Sequence, residues 1–407
     1  MKLFAALGPG DIVAVHRAQI NGATFDHGTQ YTFSGQLLEY CREQGIETLA
    51  VSNNRRVDSL RDGLLQVENR PRIFEKHGGM LYHLSRIAYA LYLVVRACRF
   101  RAHLATIDSG SAHYFALSLF RLVGIPIVVN FHNVLWPNGF EPKGRTARLV
   151  RALDGLFFRS IVRATTGISP ECGRQARQLA GCALPFFEFR SQYRNGEFQP
   201  AAHDRDRSPF FVIFVGRIEK SKGVLDIPSI AEGISKRSSV QVLFEVCGSG
   251  GALPELNRVV AEKGLSDVVR VHGRVPRAEL FELYSRAHAV IVPTRSNFGE
   301  GLPAVCAEAV LSSLPIVTTR LSNAIPVLGP AIIEAEPENI DSYASAVLKL
   351  AEDPITYNRL RNACPDCARQ FVDRYQSYPA ALDRLIAYIF PKWKLLTNYD
   401  PLFARLP

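Results

Sequence analysis

The chain has 407 residues, 47% of them hydrophobic and 21% charged, with a formal net charge of +10. That length suits two domains, and the composition excludes a disordered tail, a collagen and a coiled coil. The most apolar stretch, Ile87–Cys98, is about a dozen residues long and contains Arg96, well short of the ~20 apolar residues of a spanning helix. Met1-Lys2-Leu3-Phe4 runs directly into an expected strand, without the basic region, apolar core and cleavage site of a signal peptide, so the expected location is cytoplasmic.

From the N-terminus, β-rich runs alternate with amphipathic stretches, the pattern of parallel α/β sheets. Lys2–Leu7 reads as a strand, Phe33–Gln44 as a helix and Glu47–Val51 as a strand. Between the first two, Gly8-Pro9-Gly10-Asp11 leads into a long segment, Ile12–Thr32, holding His16, Arg17 and His27. It could shape an acceptor site or insert an extra strand. Leu81–Cys98 reads as a basic amphipathic helix, His103–Ile107 as a strand and Ala112–Leu122 as a helix. Ile125–Phe131 is a run rich in β-branched residues, as expected of a strand buried on both faces. Arg145–Ile161 and Glu171–Leu179 read as helices on either side of a short strand near Ala164–Ile168.

The polar run Gln199–Pro209 is the expected interdomain linker. The pattern then restarts with the strand Phe210–Val215, a glycine-containing turn and a helix from Val224. Val240–Val246 is a strand leading into Gly248-Ser249-Gly250-Gly251, and Leu253–Lys263 is a helix. Val268–His272, Ala289–Val292 and Pro315–Thr318 are further strands. The expected division is therefore an α/β domain over 1–203, a second over 204–375, and a helical extension over 376–407 that could pack back on the first.

The eight cysteines sit mostly in apolar segments and read as small hydrophobes rather than a disulfide framework. Cys364-Pro365-Asp366-Cys367 alone has a metal-like or redox-like spacing, and one pair cannot close a four-ligand zinc site. The charge is uneven: residues 1–203 hold 3 Lys and 21 Arg against 15 acidic residues, while residues 204–407 hold 24 basic and 23 acidic ones. A basic first half implies a polyanionic partner, whether nucleic acid, an acidic membrane surface or phosphate-bearing substrates.

Two segments carry chemistry. In the first, the strand Phe211–Val215 ends in Gly216-Arg217-Ile218-Glu219-Lys220-Ser221-Lys222-Gly223. Arg217 can grip phosphate oxygens in a bidentate fork and Lys222 adds a compact charge, while Gly216 and Gly223 permit a tight turn or close approach. In the second, Phe298-Gly299-Glu300-Gly301-Leu302-Pro303 follows a strand and starts a helix carrying Glu308. Free N–H groups around Gly301–Pro303 suit an anion. A carboxylate accepts two hydrogen bonds at once, as a sugar or ribose diol requires. The plainer alternative makes Glu300 a helix-dipole partner and Glu308 an ordinary helix acid. Glu308, however, is flanked by Ala307, Ala309 and Val310, and a buried acid needs partners.

Gly216-Arg217…Lys222-Gly223 followed by Glu300-Gly301-Leu302-Pro303…Glu308 resembles the donor site of retaining family-4 glycosyltransferases. Cys247-Gly248-Ser249-Gly250 and Val271-His272-Gly273-Arg274-Val275-Pro276 match that family in order and spacing. The likeness is specific over roughly residues 210–352; over the first domain it rests mainly on element order. It implies the GT-B fold, two Rossmann-like parallel-sheet domains facing each other across a cleft. It implies that Arg217 and Lys222 hold the diphosphate of a nucleotide-sugar, Glu308 the ribose and Glu300 the donor-sugar hydroxyls. The amides around Gly301, Leu302 and Pro303 would support sugar and phosphate.

In the first domain, Ile127–Phe131 delivers His132 to a strand end, where a histidine of the resembling family contacts the donor sugar. Asp108 or Ser111 reads as a cap for the helix near Ala112. Asp204-Arg205-Asp206 has an acid-x-acid metal spacing, but lies among arginines in the polar run and reads as a solvated charge cluster. The expectation is thus a metal-independent retaining hexosyltransferase without cofactor. It would move sugar from a nucleoside-diphosphate sugar to a glycan or lipid-diphosphate-linked acceptor in polysaccharide or glycolipid biosynthesis. Its basic segment Arg86–Arg101 would hold it on the inner face of an anionic membrane. The alternative from another class is a non-catalytic polyanion- or nucleic-acid-binding protein. It explains the charge but not the glutamates, and no zinc or aromatic RNA-binding motif is present, so no nucleic acid partner is expected. A dinucleotide oxidoreductase lacks its third glycine after Gly248-Ser249-Gly250.

Overall fold

Each half of the chain builds a parallel sheet around strands too apolar to tolerate water on either face. The structure, a computed structural model, describes residues 1–21, 32–73, 79–201 and 209–393. It divides into unit 1 (Met1–Leu135, Pro142–Gln192 and the chain from Arg374) and unit 2 (Trp136–Glu141 and Tyr193–Asp373).

Unit 1 contains β1 (Lys2–Leu7), α1 (Ile12–Ile20), α2 (Phe33–Glu43), β2 (Glu47–Ser52), β3 (Asp58–Asp62), β4 (Leu65–Asn69), α3 (Met80–Phe100) and β5 (Leu104–Asp108). A 3-10 helix (Tyr114–Arg121), β6 (Ile127–Phe131), α4 (Arg145–Ser160), β7 (Val162–Gly167), α5 (Pro170–Ala180) and β8 (Phe186–Glu188) follow. The sheet order is β3-β4-β2-β1-β5-β6-β7-β8. All neighbours run parallel except the hairpin β3–β4, whose Asp62↔Leu65 pairing leaves Gly63 at a left-handed φ of 56° in the turn. This hairpin escaped the sequence reading because Asp58–Asp62 alternates between intermediate and exposed positions and contains only one apolar residue.

Unit 2 contains β9 (Phe210–Val215), α6 (Ile227–Ser235), β10 (Val242–Cys247), α7 (Leu253–Glu262), β11 (Val269–Gly273), α8 (Arg277–Arg286) and β12 (Ala289–Val292). It continues through α9 (Ala304–Leu311), β13 (Ile316–Thr318), α10 (Ile325–Leu328), β14 (Ile332–Glu334), α11 (Ile340–Glu352) and α12 (Pro354–Ala368). Its order, β11-β10-β9-β12-β13-β14, is parallel throughout. Val212, Phe214, Phe244, Ile291 and Val317 from four of these strands are buried against Ile227, Ile230 and Ile234 of α6, each worth roughly 1.5–3 kcal/mol of burial. The last helix, α13 (Tyr378–Ile389), belongs to unit 1, where it packs on α2 and β8 and Asp383 accepts a 2.7 Å hydrogen bond from Tyr40.

The segment after Asp11, which the sequence left open, begins as helix α1, capped by Asp11 on Ala14; residues 22–31, with His27, lie outside the described residues. Four expectations need correction. Ala112–Leu122 is a 3-10 helix because its buried residues, Tyr114, Leu117 and Phe120, recur every third position. Asp108 does not cap it. The helix expected from Gly301 begins at Ala304 with Pro303 as its N-cap, since Asn323 Nδ2 donates to the Glu300 carbonyl and keeps the preceding segment non-helical. The boundary between units falls after Gln192 rather than at residue 203. Tyr193 and Phe198 are buried within unit 2, Tyr193 against Phe371, and Ala201 N donates to Ser312 O at 3.0 Å. Most of the polar run, including Asp204 and Asp206, lies outside the described residues. Cys364 and Cys367 are buried free thiols in α12, and burial pushes Cys364 up to about 12.

Candidate active site

In unit 2 the connection changes direction between β9 and β12: the chain proceeds outward to β10 and β11 on one side and to β13 and β14 on the other. Ligands of open α/β sheets bind beyond the carboxyl ends of strands at such a point. The segment after β9 and the segment after β12 therefore meet there.

Glycines set that meeting. Gly216 N donates to Cys247 O at 3.0 Å and Ile218 N to Ser249 O at 2.9 Å, threading the Arg217 loop beside the Gly248 loop. A Cβ on Gly248 would lie 1.7 Å from Gly216 O. Gly223, at a φ of 70°, passes so near the end of β12 that a Cβ would lie 1.9 Å from Pro293 O. Arg295 N donates to Ser221 O at 3.0 Å, tying the two segments together.

On this frame Lys222 Nζ pairs with Glu300 Oε2 and lies 4.2 Å from the centre of the Phe298 ring. The Arg217 guanidinium lies 5.7 Å from the same ring, is exposed, and has no ion-pair partner among the described residues. Glu300 is buried and accepts a 3.4 Å hydrogen bond from Thr294. Gly216, Arg217, Lys222, Thr294, Glu300 and Pro303 line one recess of about 200 Å³. This is below the ~300 Å³ lower range of small-ligand pockets and suits a phosphate-sized portion of a ligand. Gly301 and Leu302 are buried beside Glu300 but do not line it. Glu308, midway along buried α9, does not line it either; Tyr284 donates its hydroxyl to Glu308 Oε2. Burial, then the Glu308 carboxylate, pushes the Tyr284 phenol well above its usual range. Phe298 is the residue whose role the sequence did not single out; its place in the Phe-Gly-Glu-Gly run was the available signal.

His132 belongs to unit 1, where the chain changes direction between β1 and β5. His132 Nε2 lies 3.2 Å from Asp108 Oδ2 and 3.0 Å from Asn130 Nδ2. Asn130 Nδ2 donates to Asp108 Oδ1 at 2.8 Å, while Thr166 donates to Asn130 Oδ1 at 2.6 Å. Gly8 N also donates to Asp108 Oδ2, and Phe33 stacks on the imidazole with centroids 4.6 Å apart. Asp108 is thus a buried anchor for His132. Sequence reasoning missed it because the network around His132 is drawn from five separate segments, at residues 8, 33, 108, 130–132 and 166.

Two arginines of the basic helix α3 are engaged inside unit 1. Arg96 pairs with the buried Glu68, and Arg86 bonds to Tyr82 Oη and to the carbonyls of Gly110 and Ala112. These two arginines hold unit 1 together. Among the described residues, no helix is long and apolar enough to cross a membrane and no group of three or more His, Cys, Asp or Glu is disposed to hold a metal ion.

Residues 195–366 match the family model described as glycosyl transferases group 1. The chain is 25% identical over 303 residues to alpha-D-kanosaminyltransferase of Streptomyces kanamyceticus, covering 70% of this chain and 75% of that one. It is 24% identical over 336 residues to D-inositol 3-phosphate glycosyltransferase of an Arthrobacter species (strain FB24), covering 74% and 77%. HepE of Anabaena, solved in complex with UDP and glucose, shares the fold with a TM-score of 0.61 at 14% identity, over 97% of this chain and 100% of that one. The chain is a glycosyltransferase of the GT-B fold.

Proposed function

We propose that the protein is a retaining, metal-independent glycosyltransferase that moves a sugar from a nucleoside-diphosphate sugar to a glycan or lipid-linked acceptor in polysaccharide or glycolipid biosynthesis. The observation that carries this reading is the convergence of Arg217, Lys222 and Glu300 at the β9–β12 switch point, held by glycines that admit no side chain. When the glycosidic C–O bond breaks, negative charge grows on the departing diphosphate. Arg217, exposed and without a carboxylate partner among the described residues, and Lys222, with further donors beyond the one given to Glu300, are preorganised to meet it. Glu300 serves donor-sugar hydroxyls and Glu308 the ribose. The amides around Gly301 and Leu302 support the phosphate; Pro303 has no N–H to give. In unit 1, His132 serves the transferred sugar and Asp108 fixes its ring. The UDP and glucose bound by HepE support a nucleoside-diphosphate donor. The acceptor would be met at the inner face of the cytoplasmic membrane, consistent with the basic first half.

One experiment tests the reaction: incubation with a panel of UDP- and GDP-sugars and acceptors in EDTA, with product anomers assigned by NMR. Transfer with retained configuration, within about twofold of the chelator-free rate, is expected; removing a catalytic Lewis acid would cost far more. Abolition by EDTA with rescue by Mg²⁺ would return attention to Asp204 and Asp206, and an inverted product would overturn the retaining assignment.

A further inference from the structure

Helix α4 presents the wrong residues to water for an ordinary solvent face. Leu149, Leu153 and Leu156 are 61%, 37% and 59% exposed, spaced to form one stripe along the helix. Arg145 and Arg148 border the stripe, both exposed and without an acidic partner among the described residues. The one acid of α4, Asp154, is occupied within the fold, accepting the Phe115 N–H at 2.9 Å. The adjoining 3-10 helix packs on α4 and adds Leu119 and Leu122, 38% and 81% exposed, with no acid in its sequence. At the C-terminal end of α4 a cavity of about 950 Å³ opens, lined in part by Arg121, Arg159 and Arg163. Arg159 also lines a shelf along α4 with Arg148, Arg151 and Leu156.

We infer that α4 and the neighbouring 3-10 helix form the surface by which this chain docks on an anionic bilayer, with the leucines entering the interface and the arginines meeting lipid phosphates. Charge complementarity selects this occupant. A row of leucines flanked by unpaired guanidinium groups matches the boundary between acyl chains and anionic headgroups, whereas an apolar partner surface would leave those charges uncompensated. The exposed stripe of α3, with Leu84, Leu91 and Val95, is a poorer candidate because Arg86 and Arg96 beside it are engaged inside unit 1, which leaves Arg99 as the exposed arginine of that helix. The inference extends the membrane reading above by naming the surface, and does not depend on the donor chemistry.

The test is sedimentation of the full chain with vesicles of equimolar phosphatidylglycerol and phosphatidylcholine, against phosphatidylcholine alone. The wild type should bind the anionic vesicles and release at high salt, since the attraction is screened over about 8–10 Å. Arg145→Gln with Arg148→Gln should weaken binding about tenfold or more, as each interfacial cation contributes substantially. Leu149→Ser with Leu156→Ser should also weaken it, and both variants should keep the wild-type thermal shift with nucleoside diphosphate. The pair Leu91→Ser and Val95→Ser on α3 should bind like the wild type. No sedimentation of the wild type would overturn the membrane reading and this surface together. Wild-type sedimentation that survives in the α4 variants, or is lost only in the α3 variant, would overturn this surface alone. Lipid-free self-association abolished by Leu149→Ser with Leu156→Ser would give the face to a second copy and overturn the assignment.

Discussion

Units 1 and 2 share a parallel α/β plan, yet they hold their polar groups in opposite ways. In unit 2 the key groups come from two short segments, 216–223 and 294–300, pressed together by backbone contacts that require glycine at 223 and 248. In unit 1, His132 stands on a network drawn from Gly8, Phe33, Asp108, Asn130, Thr166 and, through the Tyr378 hydroxyl, α13. A site made from contiguous residues depends on local turn geometry. A site made from scattered ones depends on the whole sheet closing in register. The first should fail by losing charge, the second by losing alignment.

The largest expected effect is on the unit 2 side. Lys222→Ala should lower turnover by about 10²–10³-fold with the thermal midpoint little changed, because in the proposed mechanism it removes a preorganised charge opposite the leaving group. Arg217→Ala, with its exposed side chain, should do the same without structural cost. Unchanged turnover in both variants would remove the proposed donor site.

A smaller effect is expected in unit 1. Asp108→Asn keeps the shape but removes the charge that anchors His132, and supporting residues of this kind typically change activity about 10–100-fold. The fall should appear in kcat, with nucleoside diphosphate affinity of the variant unchanged by calorimetry. An equal loss of nucleotide affinity would show that Asp108 maintains the fold at large, and the contrast between the two units would collapse.

The smallest effect is on stability. Burial pushes the Asp154 carboxyl up to about 6 from its ordinary 3.8. A raised carboxyl favours the folded state when protonated, so its contribution is fully present below about pH 4 and is lost as pH rises through about 6. Asp154→Asn retains an oxygen to accept the Phe115 N–H and should stabilise the chain by roughly 2 kcal/mol at pH 7, by the 1.36 kcal/mol per unit relation discounted for partial exposure. Urea melts at pH 4 and pH 7 check this: a gain of equal size at both values would contradict the titration argument.

The sequence by itself determined most of the strands, the two α/β units and the donor-site candidates. Phe210–Val215 is apolar at every position and Ile127–Phe131 at all but Asn130, as expected of strands buried on both faces, and the Gly-Arg and Glu-Gly-Leu-Pro segments are local. Only the tertiary structure decided that Lys222 and Glu300, far apart in sequence, pair over Phe298, that Glu308 bonds Tyr284, and that Asp108 anchors His132. It also tied down two cations of α3: Arg86 and Arg96 look like surface charges in one dimension, but their partners Gly110 and Glu68 are brought to them by the sheet. Periodicity reports which face of an element is apolar. Which polar groups meet depends on strand order, and strand order is written in long-range packing that no single stretch of sequence contains.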